Sequence, residues 1–272
     1  RDDFHTGLIG ITATKRNKMM KDFSTELAIM VKLRSPRIVA VYGVVTTDST
    51  WLGLVVEYCG GGDLREALDA DDAASIDEAQ RRSWLSDIAM GLAYLYSKGV
   101  EHRDLKSLNV LLDGGRRCKV TDFGFAMDFT QNQCKTRLGT TDYMAPEIVR
   151  CDKAMRDRLR AENRSGYGPE VDCWAIGVLA YECLVGAAPF EGGGTEEVYT
   201  RILTGKYHLP DRFTPEASDF IARALDLNPR TRISAEQMMR HPWIVAHTQT
   251  SEPSSEPTRR RRTSMQSNLR DV

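Results

Sequence analysis

No C-x-x-C pair occurs in this chain: its six cysteines, Cys59, Cys118, Cys134, Cys151, Cys173 and Cys183, are scattered through 272 residues. Disulfide-stapled secreted scaffolds use far denser spacing, so reduced thiols in cytosol or nucleus are expected. No apolar leader-like segment opens the sequence, and the longest apolar stretch, residues 171–190, carries Asp172 and Glu182 inside it. That stretch reads as a buried helix and not as a membrane span. Excess charge of one sign is also lacking. A formal net charge of −1 gives no global attraction to nucleic acid or to an anionic membrane, so any electrostatic preference is local, and no nucleic-acid partner is expected. Internal repeats are absent, which excludes solenoids and propellers.

What is present is ordinary for a globular protein, 41% hydrophobic and 28% charged, in a chain long enough for one large domain or two lobes. From Asp22 to Leu33, Phe23, Leu27, Met30 and Leu33 recur at helical spacing, with Asp22 as the expected cap and Pro36 closing the helix. The β-branched runs "RIVAVYGVV" and "WLGLVVEYC" predict two strands joined by the polar "TTDST". Past "GGGD" the character turns helical. Trp84, Ile88, Leu92 and Leu95 share one helical face, and further helices are predicted over 170–185, 195–204, 215–226 and 234–240. Residues 248–272 are rich in Ser, Thr, Pro and Arg and read as a disordered tail.

Chemistry concentrates in "VEHRDLKSLNVLLDGGRRCKVTDFGFA". His102-Arg103-Asp104 with Asn109, then Asp122-Phe123-Gly124 eighteen positions after Asp104, resemble the catalytic loop and metal-binding triplet of protein kinases. Either triplet alone is a weak string; their joint occurrence in order is strong. Phosphoryl transfer needs a carboxylate at the attacking hydroxyl, hard oxygens for magnesium and positive charge at the transferring phosphate. The resemblance implies Asp104 in the first role, Asn109 and Asp122 in the second and Lys106 in the third. A lysine at position 106 is similar to serine/threonine kinases.

The same resemblance extends outward. "KTRLGTTDYMAPEIV" is similar to the end of a kinase activation segment, and it implies an ion pair between Glu147 and Arg232. It also implies that Asp172 accepts backbone N–H bonds from the catalytic loop, and that Thr140 bonds toward Asp104 and Lys106. "LVVEYCGGGD" resembles the connection between kinase lobes, placing Val56 behind adenine and Glu57 and Cys59 at its edge, with Asp63 at the ribose and Leu111 beneath the ring. Thr136 stands where many kinases carry an activating phosphate, which Arg103 would grip, implying an upstream activating kinase. An unmodified loop threonine is the competing expectation.

The departures lie near the start. Glu26 matches the helix glutamate that pairs with a strand lysine in the family. Lys15 is the candidate lysine, after an apolar run but only 11 positions earlier; a family-typical spacing falls instead at Ile9 or Gly10, where no charge stands. Gly7 and Gly10 do not make a phosphate-covering loop. Truncation and true loss explain this equally. Glu147 and Asp172 are 25 positions apart, about twice the usual kinase gap, and the excess carries six basic residues against three acidic. It reads as a solvated helical insert, or as a dock for acidic partners. In the tail, Arg259–Arg262 before Thr263 and Ser264 resembles a target of basophilic kinases or a weak nuclear signal.

The expected fold is therefore α+β and bilobal, protein-kinase-like: a truncated β-rich small lobe at 1–58, a mainly helical large lobe at 59–247 and the tail at 248–272. The subgroup resembles both tyrosine-kinase-like and calmodulin-dependent kinases. The expected function is transfer of the ATP γ-phosphoryl group to Ser or Thr hydroxyls of proteins, with Mg2+, in a cytoplasmic or nuclear enzyme. A pseudokinase or nucleotide-binding scaffold is the alternative.

Overall fold

Helix α1, Ala13–Met30, leads into a two-stranded antiparallel sheet of β1 (Val41–Thr47) and β2 (Trp51–Val56). The computed structural model describes residues 13–47, 51–70, 73–130, 139–151 and 166–246. The helix begins well before Asp22, so the expected cap at Asp22 is corrected: it is an interior residue. The physical reason is propensity, since "ATKRNKMMK" is built largely from good helix formers with no Gly or Pro to stop the helix. Ile29, Met30 and Leu33 bury the helix end against the rest of the molecule.

After α1 the chain docks directly onto the large lobe. Val39 N–H donates to the Val120 carbonyl at 3.0 Å, and Val120 N–H donates to Arg37 O at 2.9 Å. Val120 lies on β5 (Cys118–Val120), which pairs antiparallel with β4 (Val110–Leu112), Leu111 facing Lys119. One buried carboxylate reinforces the junction. Asp87, on α3 (Glu78–Ser97), takes Arg37 at 3.0 Å, Arg117 at 2.6 Å and the Cys118 N–H at 3.0 Å. A fully buried carboxylate is tolerable only with such partners.

Between these elements lie the short helix α2 (Leu64–Asp69) and β3 (Val100–Glu101), the latter paired with β6 (Met127–Asp128). A single turn, α4 (Pro146–Val149), precedes α5 (Glu170–Val185), which is the core of the large lobe. Every residue from Val171 to Cys183 is buried, as a helix that is apolar all round requires. Gly177 allows α7 (Pro215–Ala224) to approach closely, because a Cβ there would lie 2.8 Å from Ala224 Cβ and Leu225 Cδ2. Helices α6 (Thr195–Thr204), α8 (Ala235–Met238) and α9 (Pro242–Val245) complete the lobe. Trp84, Trp174 and Trp243 are fully buried within it.

Among the described residues Cys118, Cys151, Cys173 and Cys183 are buried and Cys59 is half-buried, none of them in a disulfide. No described helix is long and apolar enough to cross a membrane. Thr136, residues 152–165 and the tail from 247 lie outside the described residues.

Candidate active site

The loop after β3 carries the site, and its backbone is held by α5. Asp172, almost fully buried near the start of α5, accepts the His102 N–H at 2.7 Å and the Arg103 N–H at 2.8 Å. Arg103 takes a left-handed φ of 71° as the two successive N–H groups meet one carboxylate. That conformation costs about 1–3 kcal/mol in a non-glycine residue and persists only where surrounding contacts enforce it. Burial pushes the Asp172 pKa up, opposed by the His102 ring and the two N–H donors. His102 adds rigidity: its Nδ1 accepts the Asp104 N–H at 3.3 Å, so Nε2 carries the proton donated to Thr121 O at 2.8 Å.

Asp104 is 5% exposed and its carboxylate is shared among three neighbours. Oδ1 accepts the Thr140 N–H and Oγ–H, both at 2.9 Å. Oδ2 accepts Lys106 Nζ at 2.8 Å and Asn109 Nδ2 at 3.3 Å. Thr140 Oγ1 in turn accepts Lys106 Nζ at 3.0 Å. A carboxylate, an ammonium and a hydroxyl thus converge within hydrogen-bond distance of one another.

Asn109 spends its Nδ2 on Asp104, including the Asp104 carbonyl at 2.9 Å, which directs its amide oxygen elsewhere. Asp122 is exposed, with φ of 61° and a carboxylate touched by the Gly124 N–H at 3.3 Å. One amide oxygen and one accessible carboxylate are a hard-oxygen set. They fit magnesium, which binds proteins through one or two such ligands and takes the rest from phosphates and water.

A second carboxylate of α5 supports the other end of the loop. Glu182, 3% exposed, accepts Ser107 Oγ at 3.2 Å and Arg65 Nη1 at 2.8 Å, and it takes a short hydrogen bond from the Tyr143 hydroxyl. Burial and Glu182 together push the Tyr143 phenol well above its usual range. Farther down the segment, Arg232 grips Glu147 with two bonds, Nη1 to Oε1 at 2.6 Å and Nη2 to Oε2 at 3.0 Å.

The small-lobe side is built differently from the expectation. Lys15 does not follow a strand; it lies on α1, the same helix as Glu26. Eleven residues of helical rise put about 16 Å between them. A lysine reaching Glu26 from a facing strand is therefore corrected, because the helix extends through the residues expected to form the approach. Among the described residues no Lys or Arg makes an ion pair with Glu26. Burial raises its pKa, Asp122 raises it further and the Phe123 N–H pulls it back.

At the connection between lobes, Val56 ends β2 exposed, and the Glu57 N–H donates to Ala40 O at 2.8 Å. Glu57 also pairs with Lys119 at 2.9 Å. Cys59 is half-buried, its thiol pKa raised first by burial and then by Glu57. Asp63 caps α2, its Oδ1 accepting the Glu66 N–H at 2.8 Å, while its backbone bridges to Leu111. Arg103 directs Nε to the Phe125 carbonyl at 2.8 Å. Arg65, Lys119 and Glu182 were not singled out as site residues in the sequence. Their partners stand 117, 62 and 75 positions away, and only the fold brings them together.

The family model for the protein kinase domain matches residues 10–244. The chain belongs to the protein kinase domain family. Its relatives include an Aurora kinase of Schizosaccharomyces pombe, 36% identical over 233 residues, which covers 85% of this chain and 61% of that protein. A probable serine/threonine-protein kinase MARK-A of Dictyostelium discoideum is 34% identical over 226 residues, 83% of this chain and 20% of that protein. The chain thus spans less than two thirds of either relative. Within the kinase domain, Asp104 belongs to the loop between β3 and β4, and Asp122 to the turn after β5.

Proposed function

We propose that this kinase domain transfers the γ-phosphoryl group of ATP to Ser or Thr hydroxyls of proteins. The observation that carries the reading is the Asp104–Lys106–Thr140 cluster, to which Asn109 is hydrogen-bonded through Nδ2. Asp104 would accept the proton of the attacking hydroxyl as its oxygen bonds to phosphorus and the bond to the ADP oxygen breaks. Lys106, already within reach of that carboxylate, would meet the charge gathering on the transferred group. Asn109 and Asp122 would hold magnesium, which neutralises phosphate charge when bound. Thr140 would order the acceptor side, since its hydroxyl joins base and ammonium.

Adenine would lie along residues 56–59 above Leu111, with Asp63 near the ribose. Two named serine/threonine or Aurora kinases among the relatives support hydroxyl amino acids as acceptors. Regulation by phosphorylation of Thr136, with Arg103 as its grip, and a cytoplasmic or nuclear setting for the reduced thiols belong to the same reading.

A nucleotide-binding scaffold is the second reading, favoured by one observation, a half-buried Glu26 without a described cationic partner. Purified chain is assayed for magnesium-dependent phosphate transfer from ATP to a generic Ser/Thr protein, alongside Asp104→Asn and a nucleotide-binding titration. Transfer lost by about 100-fold or more in Asp104→Asn supports the enzyme. Nucleotide binding with equal background turnover in both proteins supports the scaffold.

A further inference from the structure

The connection between the lobes is fastened to one hairpin of the large lobe at both of its ends. At its exit the fastening is backbone: Gly61 N–H donates to Leu112 O at 2.9 Å and Leu112 N–H to Gly62 O at 2.9 Å, followed by the Asp63–Leu111 bridge. All of these contacts fall on β4. At its entry the tie to the hairpin is a side-chain ion pair. Lys119, on β5, places Nζ 2.9 Å from Glu57 Oε1 and 3.1 Å from Oε2.

This ion pair is shielded, its side chains being 10% and 24% exposed. Glu57 Oε2 also accepts the Ala40 N–H at 3.2 Å, while the Glu57 N–H donates to Ala40 O. A single carboxylate therefore joins the chain entering β1 to β5. Lys119 stands directly opposite Leu111 in the β4–β5 register, so both side chains project from the same face of the hairpin. One of them is the proposed floor beneath adenine, and the other fixes the residue at its proposed edge.

We propose that Lys119 is a positioning residue for the nucleotide: its ion pair with Glu57 sets the spacing between the adenine-binding edge at residues 57–59 and the Leu111 floor. This rests on the reading of residues 56–63 as the adenine site. The pair acts before any phosphate is engaged, so its loss weakens nucleotide binding and leaves the transfer step alone. Purine discrimination follows from the same spacing, because edge carbonyl and N–H groups select adenine over guanine only when held in register.

The test compares wild type, Lys119→Met, Lys119→Arg and Glu57→Gln by titration with a fluorescent ATP analogue, by KM and kcat for ATP and GTP, and by hydrogen exchange at residues 57–61. Lys119→Met removes the charge at similar volume. It is expected to raise the nucleotide Kd and the KM for ATP about tenfold, equivalent to about 1.4 kcal/mol, with kcat within about twofold. ATP-over-GTP preference should fall, exchange at 57–61 should quicken, and Lys119→Arg should recover most of each. Combining Lys119→Met with Glu57→Gln should cost no more than Lys119→Met alone, as for two members of one contact.

Unchanged nucleotide Kd in a folded Lys119→Met overturns the proposal. So does a fall in kcat and melting temperature with KM unmoved, the mark of a merely structural pair. If Lys119→Met does not fold, Lys119→Arg and Glu57→Gln decide by the same readouts. Wild type that binds no adenine nucleotide overturns the adenine-site reading and the positioning role together. Exchange that quickens at 57–61 in Lys119→Met then leaves only a mechanical tether standing, and unchanged exchange removes that too.

Discussion

Replacing Arg232 by Met should be among the most damaging single substitutions in the large lobe, and its cost can be worked from the contacts. The guanidinium is fully buried and Glu147 is 16% exposed. Besides the two bonds to Glu147, Arg232 gives Nη1 to the Glu170 carbonyl at 2.8 Å and Nε to the Asp226 carbonyl at 3.0 Å. It also lies over the Trp174 ring at 5.1 Å. Methionine keeps much of the volume and none of the donors. Glu147 would then be a shielded, uncompensated carboxylate, and removing one partner of such a pair costs about 3–5 kcal/mol.

For a domain of this size each kcal/mol lowers the melting temperature by about 2–4 °C, so the expected loss is about 6–20 °C by calorimetry or circular dichroism. Glu147→Gln keeps an acceptor in place but leaves the buried Arg232 guanidinium without its counter-charge, so it should also cost about 3–5 kcal/mol. The double variant Arg232→Met with Glu147→Leu should recover much of the loss, because an apolar pair leaves no charge behind. An Arg232→Met protein melting within about 2 °C of wild type would refute the reasoning. So would a double variant less stable than the single one. The assay needs no catalysis and so stands apart from the proposed function.

Three further outcomes are expected. Glu26→Gln should raise the melting temperature near pH 8 by about 1–3 °C and have no effect near pH 4: a raised folded pKa means the folded state holds the proton more tightly, so the charged carboxylate weakens the fold only as pH climbs above its ordinary 4.5. Calorimetry at both pH values checks the sign, and destabilisation at pH 8 would show that a cation is in fact paired with it. Alkylation of Cys59, followed by peptide mass spectrometry, should still be accelerating above pH 9.0, because its thiol titrates above that value, and adenine nucleotide should slow it. Thr140→Val should lower the phosphotransfer kcat by about tenfold with the KM for ATP unchanged, Thr140→Ser restoring it, since the hydroxyl bonds both Asp104 and Lys106 and valine can bond neither.

What could be read beforehand was whatever is local or fixed by short spacing. The turn from His102 to Asn109 and the helix from 170 to 185 are written in contiguous residues whose types suit their surroundings. The start of α1 was not legible, because Asp22 is as acceptable inside a helix as at its cap, and only the absence of a breaker from Ala13 onward signalled the longer helix. Lys119 was hidden for another reason. Strand alternation fixes which face it takes, yet nothing in "CKVTDFG" names Glu57, 62 positions upstream, as the group on that face. Arg65 resembles any exposed arginine four residues before an acid, and it does bond Asp69 in that ordinary way. Its second contact, to Glu182, exists only because α2 and α5 flank the same loop.

The loop that carries Asp104, the proposed catalytic base, is anchored by carboxylates other than its own. Asp172 and Glu182 are ten residues apart on α5, about 15 Å of helical rise, and both carboxylates are buried. The first holds the loop through the backbone of residues 102 and 103, so side-chain changes there leave the anchor intact. The second holds it through side chains, Ser107 and Tyr143, and its charge is answered by Arg65. Asp104 lies between these two anchors and takes its own hydrogen bonds from Thr140, Lys106 and Asn109. Anchoring and the proposed chemistry thus use different carboxylates. A buried, rigid helix bears the cost of two desolvated charges, while the Asp104 carboxylate is bonded to Thr140, Lys106 and Asn109 and to neither anchor.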